Sequence, residues 1–323
     1  MRAWVLQDYG SLSLEERPLP EGPGLLLRVV ATGICGSDLS VYKGTPAMRA
    51  RWRPPLILGH EVAGIVEEGP EALLGRAVAL YPALPCGVCE TCQAGRPHLC
   101  PSRRHLGFHY PGGLASWIRV PEGLAYPLPE GLPFWKGALA EPLAVAWHAV
   151  RRAGPEPGEK ALVLGGGAMG ALVAWLLQRE GTVVHLVEPN PYRAQKLLRL
   201  GLAQEAVPKG EEAGREAYPL VMDTVGLQAT LTQGLRALAP GGKAVVVGLA
   251  GTEGALDLQD LVLKEKHLFG SYLFTPEEFQ EILPLLDEVP EGLVYLWPAE
   301  NADQAFLALL EGRIAEPKLV LVW

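Results

Sequence analysis

The sequence predicts an α/β protein in which a doubly wound parallel sheet is joined to a second, β-rich domain. Three observations lead there. At 323 residues the chain is longer than one ordinary core organises, so two domains are expected. Its texture changes near residue 137 and again near residue 275. Between those points strand-like apolar runs alternate with helical patterns, which predicts a parallel sheet with helices on both faces.

The elements follow in order. Residues 1–145 are rich in strand and turn signals. Short apolar runs at 25–31, 62–67, 76–80 and 116–120 read as strands. Pro82, Pro85, Gly87, Gly95, Pro97 and Pro101 make the intervening cysteine segment a loop rather than a helix. A helix is expected over 138–153. Strands then fall at 161–164, 183–187, 220–223 and 243–247, separated by helices at 168–179, 192–200 and 228–238. Thr275-Pro276-Glu277-Glu278 is a capping box with proline at the first helical position, opening a helix through 286. A last helix at 302–310 stops before Gly312, and 318–322 is a terminal strand expected to pack back on the first domain.

Composition excludes some roles. The formal charge of −8 argues against nucleic acid as a partner, because phosphate binding needs a basic face. The basic pairs Arg103-Arg104 and Arg151-Arg152 read as solvated surface. The longest apolar stretch, 161–177, is interrupted by Gly165, Gly166, Gly167 and Gly170 and is too short to span a membrane. The first residues lack an apolar leader, so no signal peptide and a cytoplasmic location are expected. There thiols stay reduced, which favours metal over disulfides for a cysteine cluster.

Gly165-x-Gly167-x-x-Gly170 is weak evidence alone. Here it follows a predicted strand and opens a predicted helix, and Glu188 ends the next strand. The turn Gly165, Gly166, Gly167 with Ala168, Met169 and Gly170 lets a pyrophosphate approach backbone amides at a helix N-terminus. Glu188 suits the adenosine ribose hydroxyls and repels a 2′-phosphate, so NAD is favoured over NADP. Arg193 works against that preference, since it could neutralise the phosphate. Val225 and Gly248, just past later strands, are further cofactor-binding candidates. The bland alternative is a glycine packing turn without ligand.

Cys86, Cys89, Cys92 and Cys100 are spaced C-x2-C-x2-C-x7-C. Four thiolates on a proline-rich loop suit one closed, structural tetrahedral zinc. Two disulfides and an iron–sulfur cluster are the alternatives. The first three cysteines share ferredoxin spacing, but the last gap is seven residues instead of three. Cys35 is the only cysteine left, so a second zinc site would need histidine and carboxylate ligands. His60-Glu61 lies between two apolar runs, and Glu141 is the only charge in 137–147. A buried ionised carboxylate requires a partner or a metal. An inert core thiol, a satisfied core histidine and an exposed carboxylate at a helix start are the alternative readings.

Taken together, Gly-Ile-Cys35-Gly-Ser37-Asp38, Gly59-His60-Glu61-Val-Ala-Gly64, the four-cysteine run, Gly112-Gly-Leu-Ala-Ser-Trp117, Ala140-Glu141-Pro142 and the glycine turn resemble the zinc-dependent medium-chain dehydrogenase family. Pro240-Gly-Gly242, Lys264-Glu265 and Gly270-Ser271 extend the likeness over nearly the whole chain. The resemblance implies a GroES-like catalytic domain over residues 1–147 and 275–323, with a structural zinc lobe at about 82–102. It implies a Rossmann NAD-binding domain over 148–274. It further implies two zinc ions per chain, a small-molecule alcohol as substrate (a polyol, diol or amino alcohol favoured), and a homodimer or homotetramer. Cys35 and His60 match catalytic zinc ligands. Glu141 matches the glutamate of the polyol branch, and Glu61 a ligand that exchanges with water or substrate. Ser37 matches the hydroxyl that takes the substrate's proton. Relatives often carry a histidine three residues after that serine; Ser40 stands there instead. Alternative readings are an NADP-preferring sugar or alcohol dehydrogenase, an NAD(H)-binding protein without turnover, and a zinc-loop interaction module. Trp52, Phe108, Tyr110 and Phe274 are candidates for an apolar pocket.

Overall fold

The computed structural model describes the backbone of residues 1–323 and every side chain except those of 210 and 211. The central segment folds into a six-stranded, fully parallel sheet. Across the sheet its strands are Glu205–Val207, Val183–Val187, Lys160–Leu164, Tyr218–Asp223, Leu238–Val246 and His267–Gly270. Counted along the chain, the order is 3-2-1-4-5-6, so the strand order reverses beside Lys160–Leu164.

Strand alternation explains why both faces are covered. Ala161 and Val163 belong to one buried cluster with helices Ala140–Ala153 and Ala168–Arg179. Leu162 and Leu164 belong to another, with Leu235 and Ala237 of helix Gln228–Ala237. Side chains of period two thus feed two separate cores. None of the described helices is long and apolar enough to cross a membrane.

The second sheet has seven strands. Six run across it as Val294–Pro298, Lys318–Val322, Leu25–Gly33, Glu61–Glu68, Ala77–Leu80 and Ala125–Pro127, and Trp117–Val120 also pairs with Leu25–Gly33. The terminal strand lies antiparallel on Leu25–Gly33, with Val320 opposite Gly33 and Val322 opposite Ala31. An N-terminal hairpin, Arg2–Asp8 with Ser11–Glu16, stands apart from it.

Several elements differ from the sequence expectation. Edge strands Glu205–Val207, His267–Gly270 and Val294–Pro298 are too short to give a period, and the last ends in proline. Helix Gly36–Lys43 has no apolar stripe; it is set by its ends, with Asp38 bonded back to the Cys35 amide and Gly44 in the left-handed region. The helix from Pro276 is α-helical to Ile282 and then tightens to 3-10 over Leu283–Glu288. Pro284, lacking an N–H, accounts for the change. The cysteine loop contains one short helical turn, Glu90–Gln93, and a 3-10 turn, Pro97–Leu99.

The capping box holds as expected: the Thr275 amide donates to Glu278 and the Glu278 amide to Thr275 Oγ1, at 2.9 and 3.2 Å. Glu278 also accepts from His148 Nδ1 at 2.8 Å, which ties helix Ala140–Ala153 to the C-terminal segment. A carboxylate only accepts, so the ring nitrogen donates. Burial alone would raise the Glu278 pKa, but His148 and the Thr275 amide outweigh it and hold the carboxyl below its ordinary 4.5. A lowered native pKa means the unfolded chain binds the proton more tightly. This stability is present above about pH 4.5 and is lost as pH falls through the native value. Glu278→Gln is therefore expected to cost about 1–3 kcal/mol at neutral pH. Thermal melts should show that difference shrinking in acid; a gap unchanged to about pH 3 would contradict the assignment.

Candidate active site

Cys35 caps helix Gly36–Lys43 just after strand Leu25–Gly33 ends, and His60 directly precedes strand Glu61–Glu68. These strands are antiparallel neighbours with Gly33 opposite Glu61, so the two loops meet at one sheet end. Asp38 fastens them together. Its Oδ2 accepts from the Cys35 amide at 3.0 Å and its Oδ1 from the Gly59 amide at 3.2 Å. The same Oδ1 lies 3.4 Å from His60 Nδ1. Gly59 has φ +94°, and a Cβ there would press to 3.0 Å on the Leu114 amide nitrogen, so glycine is required before His60.

One ligand atom each from Cys35, His60 and Glu61 lies within 4.8 Å of the others. Thiol, imidazole and carboxylate are the donor set zinc takes. Ser37 Oγ stands 3.4 Å from His60 Nε2, on the side opposite Asp38. Burial opposes charge on His60, yet Asp38 and the Cys35 thiol outweigh it and raise the ring's pKa well above 6.5. For Asp38, burial raises the pKa but His60 and the two amides bring it below 3.8. The pair is thus set up as carboxylate and cationic, or metal-bearing, imidazole.

Glu61 is 1 % exposed and forms an ion pair with Lys318, which is 4 % exposed. Lys318 also donates to the Ile34 carbonyl at 2.9 Å. Burial would lower the lysine's pKa, but Glu61, then Cys35, keep it above 10.5. Glu141 enters from the first turn of helix Ala140–Ala153 and is 5 % exposed. It feels His60, Glu61 and Lys318 but lies outside the tight group of three. Burial, partly offset by His60, pushes its carboxyl up to about 7. Among the described residues it has neither ion pair nor side-chain hydrogen bond, the situation in which a nearby cation is most favourable.

The four-cysteine lobe passes a separate test of size. Sγ atoms of Cys89 and Cys92 are 3.5 Å apart, Cys89 and Cys100 3.8 Å, Cys86 and Cys100 3.5 Å. A tetrahedron with zinc–sulfur bonds of about 2.3 Å has edges of about 3.8 Å. Disulfide sulfurs would be about 2.05 Å apart. A multi-iron cluster needs more room than these separations leave. The lobe fits one ion.

At the switch point the glycine turn is built for close approach. Gly165 has φ +94°, and a Cβ on Gly170 would fall 1.8 Å from the Gly165 carbonyl oxygen. A Cβ on Gly167 would meet nothing within 4 Å, so the space before helix Ala168–Arg179 lies open in front of the free amides of Ala168 and Met169. Glu188 accepts from the Gly166 amide at 2.7 Å and the Asn190 amide at 2.8 Å, with Arg193 at 3.4 Å. The open approach to the helix amides and the oriented carboxylate fit a dinucleotide. Val225 and Gly248 are packed against one another, a Cβ on Gly248 falling 2.0 Å from the Val225 carbonyl carbon.

Residues 22–130 match the alcohol dehydrogenase GroES-like domain family, and residues 168–288 the zinc-binding dehydrogenase family. The chain is 32% identical to 2-dehydro-3-deoxy-L-galactonate 5-dehydrogenase of Pseudoalteromonas atlantica over 278 residues, 83% of this chain and 81% of that protein. The chain belongs to the zinc-dependent medium-chain dehydrogenase family. It is 28% identical to D-xylulose reductase A of Aspergillus niger over 336 residues, 96% of this chain and 94% of that protein. A structure named as a zinc-binding dehydrogenase from Sinorhizobium meliloti, bound to NADP, superposes with a TM-score of 0.90 at 27% identity, covering 100% and 99% of the two chains. Both the GroES-like and Rossmann parts expected of this dehydrogenase family are present.

Some participants were not read from the dehydrogenase's sequence. Asp38 sits three residues after the helix N-cap, a position that could have marked it as the clamp. Lys318 opens the run Lys-Leu-Val-Leu-Val, where a lone lysine on a buried strand was the available signal. Asp223 accepts from the Val225 and Gly226 amides at 3.0 and 2.9 Å and so shapes the loop that follows its strand. Of the pocket candidates, Phe108 lies 5.3 Å from the His60 ring and Trp52 stacks 5.2 Å from Phe108. Phe274 is 1 % exposed and stacked on Phe279, so it is core. Tyr110 lies beneath the Arg104 guanidinium, 4.1 Å away.

Proposed function

We propose that the chain oxidises a small alcohol, reversibly, with NAD as hydride acceptor, and that a polyol, diol or amino alcohol is the favoured substrate. The observation that carries this reading is the convergence of Cys35, His60 and Glu61 beside Ser37. When bound, zinc would supply Lewis acidity at the alcohol oxygen and nicotinamide the hydride acceptor. Cys35 and His60 are the fixed ligands in this proposal. Glu141 is the third, because Glu61 already has Lys318 as counter-ion while Glu141 has no partner. Glu61 would be available to the metal as an alternative carboxylate ligand.

The chain's own residues carry the rest. Asp38 fixes the imidazole's orientation and leaves Nε2 for the site. Ser37 accepts the hydroxyl proton and passes it to the cofactor ribose or to water. Ser40 is not part of that route, since its hydroxyl donates to the Gly36 carbonyl at 2.9 Å. Cys86, Cys89, Cys92 and Cys100 would hold a second, structural zinc. The domain division at 147/148 and 274/275, a homodimeric or homotetrameric state and a cytoplasmic setting belong to the same proposal.

The choice of NAD rests on Glu188. Two amides pin its carboxylate where the adenosine ribose would lie, and a 2′-phosphate would meet that charge. Arg193 favours NADP only if it leaves Glu188, with which it is paired here. The expected result is a kcat/KM for NAD at least about tenfold above that for NADP, the equivalent of about 1.4 kcal/mol. Glu188→Ala should narrow the ratio; a parent enzyme that prefers NADP would refute the argument. Metal analysis joined to an alcohol panel followed at the NADH band tests the activity itself. A filled protein that reduces NAD with none of the panel, and reduces no ketone in reverse, would sink this reading.

A further inference from the structure

We propose that the substrate carries an anionic group, a carboxylate or a phosphate ester, and that Arg51, Arg53 and Arg104 receive it at the outer edge of the site. This rests on the dehydrogenase reading above and narrows its substrate class.

The argument begins with an aromatic path leading out from the metal-ligand cluster. Phe108 lies 5.3 Å from the His60 ring, and Trp52 stacks on Phe108 at 5.2 Å. His109 meets Trp52 edge-on at 4.5 Å. Two segments some fifty residues apart thus close on each other beside the site. Both bring arginine. Residues 49–53 read Arg-Ala-Arg-Trp-Arg, and Arg103-Arg104 precede the His105–Tyr110 turn.

The arginines divide into two kinds. Arg49 donates to the Gly44 carbonyl at 2.6 Å and covers the Tyr9 ring at 3.9 Å. Arg103 bridges the His98 carbonyl at 2.7 Å and the Tyr272 hydroxyl at 2.9 Å. Those two hold the structure together. Arg51, Arg53 and Arg104 are exposed, and among the described residues none has a carboxylate within 4.0 Å or donates a side-chain hydrogen bond; Arg104 rests on the Tyr110 ring at 4.1 Å, a contact that uses the guanidinium face and none of its N–H groups. They stand in a chain of net charge −8, where counter-ions are plentiful elsewhere. The environment of His109 agrees: burial, then Arg104 and Arg103, lower its pKa, and no acid acts in the other direction.

Exposed guanidinium groups without a carboxylate partner attract and orient oxyanions, bidentately where geometry allows. The two ring spacings between His60 and Trp52 set the scale. The anion must stand several carbons from the reacting hydroxyl, as in a polyhydroxy acid or a polyol phosphate. The aromatic faces between suit the carbon chain, not a second charge.

The test compares three ligands of one carbon length on the full-length, zinc- and NADH-loaded protein: sorbitol, gluconate and sorbitol 6-phosphate. Calorimetric titration at low ionic strength reads binding to the NADH-loaded protein, and initial rates measured separately with NAD in place of NADH read turnover. At least one of the two anions should bind about tenfold or more tighter than sorbitol, with the advantage shrinking in high salt. Tighter gluconate identifies a carboxylate substrate, and tighter sorbitol 6-phosphate a phosphate ester. Arg51→Ala/Arg53→Ala/Arg104→Ala should erase the advantage while leaving sorbitol binding unchanged and the protein folded, and the triple lysine variant should recover part of it. Equal binding of all three ligands, or an anion preference that survives the alanine variant, would overturn the proposal. Failure of turnover across the whole alcohol panel, with no ketone reduced in reverse, would refute the dehydrogenase reading instead, and the calorimetric comparison separates the two.

Discussion

His60→Ala is expected to lower kcat/KM by at least about a thousandfold while the protein remains folded and binds NADH. The magnitude follows from what is removed. His60 presents its Nε2 beside Ser37 and within reach of Cys35 and Glu61, so its loss takes one donor from the cluster. Charge stabilisation at such a centre is worth several kcal/mol, and each 1.4 kcal/mol is about tenfold in rate. Folding should suffer less. Deletion of the ring leaves Asp38, 1 % exposed, without the Nδ1 contact, but the Cys35 and Gly59 amides still bind its two oxygens. The structural cost is expected at about 1–3 kcal/mol. The glycine turn lies in the other sheet and is untouched, so NADH titration followed by fluorescence should match the parent. Parent-like turnover in this variant would exclude a catalytic metal at this position.

The second large effect is on the cysteine lobe. Cys92→Ser is expected to remove one metal per chain and lower the melting temperature by roughly 10 °C or more, with chemistry affected only through lost fold or assembly. The lobe has almost no apolar interior of its own: Cys86 and Val88 are exposed, Leu99 is 43 % exposed, and Cys100 is its one buried cysteine. An ion would stand where a core would otherwise be. The damage should also spread. Arg103 joins the lobe to Tyr272 at 2.9 Å, and the His98 ring lies 5.0 Å from that of His148, at the joint between the two sheets. Metal analysis and calorimetric melting of parent, variant and chelator-treated parent would check this. A Cys92 variant that is fully metallated and stable yet inactive would oppose the structural role.

Much of this was legible in the residues, for identifiable reasons. The parallel sheet could be read because its strands are apolar on both faces, and because Gly165, Gly167 and Gly170 are fixed by sterics that act within a few residues. The four-cysteine lobe was legible because its spacing is local. The convergence of Cys35 and His60 could only be inferred by resemblance, since strand register and the Asp38 clamp create it and neither has a local pattern. Lys318 was invisible as a site residue for the same reason: its role depends on which strand the chain's end lies beside. Glu141 stood out as the one charge in an apolar stretch, and it is buried. Its distance from the other carboxylate could not be read. The 3-10 turn after Ile282 was foreseeable, because Pro284 was in plain view.

The pairing of Lys318–Val322 with Leu25–Gly33 has a consequence for how the protein is made. A nascent chain that has already emitted Cys35, His60 and Glu61 cannot pair Glu61 with Lys318 until strand Lys318–Val322 leaves the ribosome tunnel. At about 5–20 residues per second, the interval is roughly fifteen seconds to a minute. During that time the parallel sheet can fold on its own, while the earlier strands wait with an open edge. Chaperone occupancy, and the harm done by deleting strand Lys318–Val322, should concentrate there.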